Sequence, residues 1–219
     1  MNKKIREIED YVKIKTANVV AHDFTHVDRV RNWALKIARA ESYDDLVKVE
    51  AAALLHDIGR GFKGQDADHG SIGAAKARVF LEKNKFFNTE DIDCICMAIT
   101  NHNRDFGDQP LINIIRDADK LDMLGAIGLA RGFTSQASWP VYNPQNIKGK
   151  AWQKDFLYFK RRFVNKLNTG DYLVDQLNFQ ISAYQLLKTK TAKKIAKPLV
   201  KFMQDYIIQL EKEITMKID

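Results

Sequence analysis

Ala51-Ala-Ala-Leu-Leu-His-Asp-Ile-Gly59 sets a histidine and an aspartate side by side at the end of an apolar helix. Neither belongs in a core unless something binds it, because an unpaired buried carboxylate is costly and a partner cation is the usual remedy. Just upstream, Leu46, Val49 and Ala53 fall at steps of three and four, and His56 comes three later, so His56 extends the core-facing stripe. Asp44 or Asp45 can cap the start of this helix, and Gly59 suits its stop. Where the last turn loosens, Asp57 can converge with His56 on one point, which a continuous helix would forbid.

The pattern recurs. Ile92, Ile95 and Ile99 lead to His102, with Asn88 or Thr89 as cap and Asn101-His102-Asn103 as the end. A third helix is expected from about Pro110 to Arg131, with Ile112, Ile115, Asp119, Asp122, Met123 and Ala126 on one face. Thr25-His26-Val27-Asp28 reads as a capping box with Asp in place of Glu, opening a helix whose stripe is Val27, Val30, Ala34 and Ile37. Four of the five histidines thus fall at helix ends in apolar or acidic surroundings. Imidazoles with hard carboxylate oxygens suit a divalent ion such as Mn, Fe, Ni, Zn or Mg. Bland readings stand beside this one. His69, in His69-Gly70-Ser71, also reads as a hydrogen-bonded histidine at a helix start. Asp119 could pair with Arg116, Lys120 or Arg131. Asp117 and Asp122 read as a solvated face or as support for the ligands, and His22 as support.

Taken in order, His26, His56-Asp57 and Asp119 resemble the HD-domain superfamily of metal-dependent phosphohydrolases, whose motif runs H…HD…D. Three segments carry the likeness: Phe24-Thr-His-Val-Asp-Arg-Val30, Ala53-Leu-Leu-His-Asp-Ile-Gly59 and Arg116-Asp-Ala-Asp-Lys-Leu-Asp122, within residues 18 to 135. The chain is most similar to small stand-alone bacterial members, with Thr191-Ala-Lys-Lys-Ile-Ala196 resembling their closing helix. The resemblance implies an all-α fold, a compact helical bundle with the metal site between helices. It makes His26, His56, Asp57 and Asp119 the metal ligands, the second aspartate of Asp117-Ala-Asp119 being the match. It gives His69 and His102 either a second metal, bridged by an aspartate, or a contact to substrate phosphate. The implied cofactor is a divalent ion, one or two per chain, drawn from Mn, Fe, Ni, Co, Mg and Zn. Some members place a glutamate general acid soon after the HD pair. Residues 59–68 hold none, leaving Asp66, Asp68 or His69 as acid/base candidates. The implied reaction is hydrolysis of a nucleotide or related small phosphate ester by a metal-activated water, with Lys63, Lys120, Arg60 and Arg131 as phosphate-binding candidates; an exposed loop charge is the alternative for Arg60 and Lys63. Two other functions compete. One is a di-iron oxygenase, which needs His69 and His102 on a second iron; the other is a non-catalytic nucleotide-binding or sensor module.

The rest of the chain sets bounds. Its 219 residues, 45% of them hydrophobic, suffice for one helical domain over 1–219, with the motif core at about 18–135 and a helical extension at about 150–219. Only four prolines occur, and no alternating strand is evident. Cys94 and Cys96 point to different faces of a helix, which fits neither a disulfide framework nor a zinc pair and suggests a reducing cytoplasm. No signal peptide or membrane span is expected. Charge is uneven: residues 141–219 hold 15 Lys+Arg against 7 Asp+Glu, while the first 140 hold 20 against 21. Without a nucleic-acid motif this basic flank reads as a solvated helical face, so the expected partner is a small phosphorylated substrate, a nucleotide, rather than nucleic acid or membrane. The oligomeric state stays open. Residues 132–150 read as one irregular stretch, a lid or pocket wall, where Trp139 and Tyr142 either stack on a base or anchor the loop.

Overall fold

Helix α3 (Leu46–Leu55) explains how the first part of the chain is built. Val49 and every residue from Ala51 to Leu55 are completely buried. A helix apolar on all sides must be surrounded. The three alanines let neighbours approach closely, and α3 packs against α1 (Lys3–Thr16), α2 (Phe24–Ala40), α5 (Thr89–Asn101) and α6 (Pro110–Leu121). Burying Leu54 and Leu55 contributes about 1.5–3 kcal/mol each. A 3-10 turn (Ile58–Gly61) follows α3, and α4 (His69–Asn84) packs on that turn and on α5. The structure is a computed structural model that describes residues 2–17, 21–62, 68–104 and 107–217. The regular elements among these residues are all helices, and no strand occurs among them.

The chain divides into two units, residues 1–121 with 188–192, and residues 122–187 with 193–219. In the second, α7 (Gly125–Ser135) packs on α9 (Leu173–Ser182), and α8 (Phe156–Val164) on α9 and the 3-10 turn Ala183–Leu186. Phe159 is wholly buried, its ring centroid 5.4 Å from that of Phe179, which also meets the rings of Phe156 and Phe163. Gln180 Nε2 donates to Met123 O at 3.2 Å and Gly128 O at 3.0 Å, tying α9 to the start of α7. Helix α10 (Lys190–Ile214) closes the chain, its residues 190–192 grouping with the first unit. No helix of the described residues is long and apolar enough to cross a membrane.

Several local expectations change. The helix expected over Pro110–Arg131 is two, because Leu124 is extended and Gly125 takes a φ of +68°, left-handed backbone that ends the hydrogen-bond ladder. Helix α7 then runs on to Ser135, so the irregular stretch starts at residue 136. Asp23, not Thr25, caps α2: its carboxylate accepts from the Thr25 and His26 amides, while Asp28 pairs with Arg31. Asp45 caps α3, which ends at Leu55, before Gly59. Gly59 serves close packing instead of stopping the helix. A Cβ there would lie 2.0 Å from His69 O and 2.8 Å from Gly73 N. Gly59→Ala should therefore push the turn off α4 and cost about 1–3 kcal/mol or more by overpacking. Urea titration checks this; an unchanged midpoint would contradict it.

Candidate metal centre

Five helix ends and faces of the first unit bring polar side chains together around one carboxylate, that of Asp57. His26 sits in the first turn of α2, His56 and Asp57 just past α3, His69 at the first residue of α4, His102 just past α5, and Asp119 on α6. His26, His56, Asp57, His69 and His102 are all buried. Asp57 Oδ2 faces His26 Nε2 at 3.5 Å and His56 Nε2 at 3.6 Å. Asp119 Oδ1 lies 3.6 Å from the same nitrogen of His26 and 3.9 Å from that of His56. The other oxygen, Asp57 Oδ1, faces His69 Nε2 at 3.3 Å and His102 Nε2 at 3.5 Å. Those two imidazole nitrogens stand 3.2 Å apart.

Helix termini set the ring orientations. The last carbonyls of a helix lack intrahelical donors. His56 Nδ1 reaches back to Ala53 O at 2.8 Å, and His102 Nδ1 to Ile99 O at 2.6 Å. Each ring donates from Nδ1, which leaves the Nε2 lone pair turned toward Asp57. Among the described residues, buried His56 Nε2 has no hydrogen-bond partner. Burial pushes the His56 imidazole down to about 4, so it is neutral near pH 7. Burial alone would raise Asp57, but the surrounding imidazoles, His56 foremost, hold its carboxyl well below the usual range. Asp119 is lowered by the same balance, burial against His56 and His26. Imidazoles, the neutral His56 among them, beside ionised carboxylates form a donor set that fits a divalent cation, and the His56 Nε2 lacks any donor. The triads His26–His56–Asp119, His56–Asp57–His102 and His22–His26–Asp57 each bring their ligand atoms within 4.8 Å of one another.

The other candidates separate. Arg60 Nε donates to Asp57 Oδ1 at 3.0 Å. Lys120 is buried beside Asp119 on α6. Arg131 belongs to the second unit, where it pairs with Asp122 at 3.0 Å. Asp68 is exposed, capping α4 through the Ser71 amide and pairing with Arg104 at 2.7 Å. Lys63 and Asp66 lie outside the described residues. Asp117 and Asp122 are not on a solvated face: both are buried. Asp117 accepts from the Lys188 amide and from the Thr189 amide and hydroxyl, holding the chain that leads into α10. Arg116 bonds the carbonyls of Gly107 and Asn101 at 3.2 Å each. His22 matters more to the centre than its sequence position suggests, since its Nδ1 lies 2.7 Å from Asp57 Oδ2. Its signal was adjacency to the Asp23 cap, which places it one turn before His26.

An all-helical fold that gathers His26, the His56-Asp57 pair and Asp119 defines the HD-domain class, and the HD-domain family model matches residues 23–124. The chain belongs to that family. It is 30% identical over 221 residues to YpgQ of Bacillus subtilis (strain 168), an uncharacterized protein, covering 97% of this chain and 94% of that one. The crystal structure of Bacillus subtilis YpgQ in complex with ADP is similar in fold, with 26% identity, a TM-score of 0.67 and coverage of 96% and 97%. An HD-superfamily hydrolase from Bacillus thuringiensis shares 25% identity, with a TM-score of 0.69 and 96% of each chain covered.

Proposed function

We propose that the protein is a metal-dependent phosphohydrolase acting on a nucleotide or a related small phosphate ester. The observation that carries this reading is the convergence of four imidazoles and Asp119 on Asp57, with the His56 Nε2 lone pair left without a donor. The ADP held by the Bacillus subtilis relative supports a nucleotide as ligand.

His26, His56, Asp57 and Asp119 would hold one ion; His69 and His102, with the second oxygen of Asp57, would hold another. Bound divalent metal supplies an acidified water and a counter-charge for phosphoryl oxygens. The chain's own part is to fix the donors. Ala53 O and Ile99 O lock the tautomers of His56 and His102. Burial keeps the His56 imidazole neutral and excludes bulk water, which strengthens every charge interaction in the centre. Lys120 is the candidate group for holding a phosphoryl oxygen. Lys120→Ala should leave metal content unchanged and slow hydrolysis about a hundred- to thousandfold. Loss of metal in that variant would give Lys120 a structural role instead.

The test is phosphate release from nucleoside mono-, di- and triphosphates and a generic phosphodiester, with Mn, Co, Ni and Mg supplied in turn. Hydrolysis of none of them overturns the proposal. The nearness of His69 and His102 to Asp57 Oδ1 favours one second reading, a di-iron oxygenase, which oxygen uptake by the iron-loaded protein would identify.

A further inference from the structure

Asp57 meets two kinds of nitrogen, and distance separates them. Ligands of one ion, with bonds of about 2.0–2.2 Å, stand roughly 3.0–3.5 Å apart, whereas hydrogen-bonded pairs stand at about 2.7–3.2 Å. The imidazole nitrogens of His26, His56, His69 and His102 are 3.3–3.6 Å from the nearer Asp57 oxygen, the spacing of co-ligands. His22 Nδ1 at 2.7 Å and Arg60 Nε at 3.0 Å are at hydrogen-bond distance, and a guanidinium nitrogen can only donate. The two groups divide evenly over the carboxylate. Oδ2 takes the His22 donor and faces His26 and His56. Oδ1 takes the Arg60 donor and faces His69 and His102.

We infer that His22 and Arg60 are positioning residues that act on the two cation positions separately, His22 through Oδ2 and Arg60 through Oδ1. The inference rests on the two-position form of the metal centre proposed above. A carboxylate oxygen has two lone-pair directions. A donor that occupies one leaves the other for a cation and fixes the torsion of the group. With both oxygens held from outside, Asp57 cannot swing to give both oxygens to one ion, so it stays a bridge. The Nε of Arg60 is therefore taken by Asp57, a role the sequence did not offer, and its terminal nitrogens remain for a phosphate.

Mn²⁺ titration calorimetry with elemental analysis tests this in two backgrounds. His102→Ala removes a ligand of the Oδ1 position, and His26→Ala one of the Oδ2 position. In the His102→Ala background, His22→Leu should weaken Mn²⁺ binding about 10- to 100-fold, and Arg60→Met should change it little. In the His26→Ala background the order should reverse. His22→Asn keeps an N–H where Nδ1 stands, and Arg60→Gln keeps one where Nε stands. Both should restore binding, which a merely space-filling role would not predict. Melting of the metal-free variants identifies any that fail to fold. Equal weakening in both backgrounds, or no rescue by Asn and Gln, overturns the inference alone. A wild-type stoichiometry of one ion, unchanged by His102→Ala, overturns the two-position reading and the inference with it.

Discussion

Asp57→Ala is expected to leave the protein without bound divalent metal and at least about a thousandfold slower toward any nucleotide it hydrolyses. Among the described residues, Asp57 is the group that faces both sets of imidazoles, His26 and His56 on one oxygen, His69 and His102 on the other. Its loss leaves Asp119 as the carboxylate beside His26 and His56 and takes away the oxygen that faces His69 and His102. Metal catalysis of phosphoryl transfer is worth several kcal/mol, and about 4 kcal/mol corresponds to a thousandfold. Folding should survive, because the change removes a buried charge and the Arg60 side chain it frees is 24% exposed and can be hydrated. Asp57→Asn, of the same shape, gives a second variant should alanine prove unstable. Elemental analysis after dialysis is the measurement. Equal metal in wild type and both variants would remove Asp57 from the ligand set and, with it, the proposed mechanism.

What the sequence carried, and what it hid, divides along a physical line. His56 and His102 were readable because each continues an apolar stripe, so the helix that buries Ile95 and Ile99 also buries the imidazole after them. The all-helical class followed from the same periodicity. Choices made by backbone torsion were not readable. The face shared by Asp119, Met123 and Ala126 on paper is interrupted by left-handed Gly125, and nothing in a 3.6-residue pattern marks that glycine as a break rather than a weak helix position. Partners distant in sequence were also hidden. Asp117 looks like its neighbours in composition, yet it is buried because the backbone of residues 188 and 189, far along the chain, donates to it. The tie between Arg60 and Asp57 was hidden in the same way, since it takes the tight turn at Gly59 to bring the Arg60 Nε to that carboxylate. Ligand types announce themselves locally, whereas the groups that hold the ligands are chosen by the fold.

Stripping the metal should lower the melting temperature by about 5–11 °C. An ion that binds only the folded state stabilises it by about 2.7 kcal/mol at a hundred times its dissociation constant. A chain of 150–250 residues shifts by roughly 2–4 °C per kcal/mol. The sign follows from the structure. Without a cation, the ionised Asp57 and Asp119 are held beside a His56 imidazole that burial keeps neutral, and the His56 Nε2 lone pair has no donor. All of these groups belong to the first unit, so the transition that moves should be the unfolding of residues 1–121 with 188–192. Melting curves in chelator and in saturating Mn²⁺ make the comparison, and the Asp57→Ala protein separates the centre from adventitious ions. A wild-type shift that disappears in Asp57→Ala places the stabilisation at this carboxylate. A shift of the same size in both would mean that the ion binds elsewhere, and wild-type protein that holds metal but melts identically with and without it would mean that the donors bind the unfolded chain equally well.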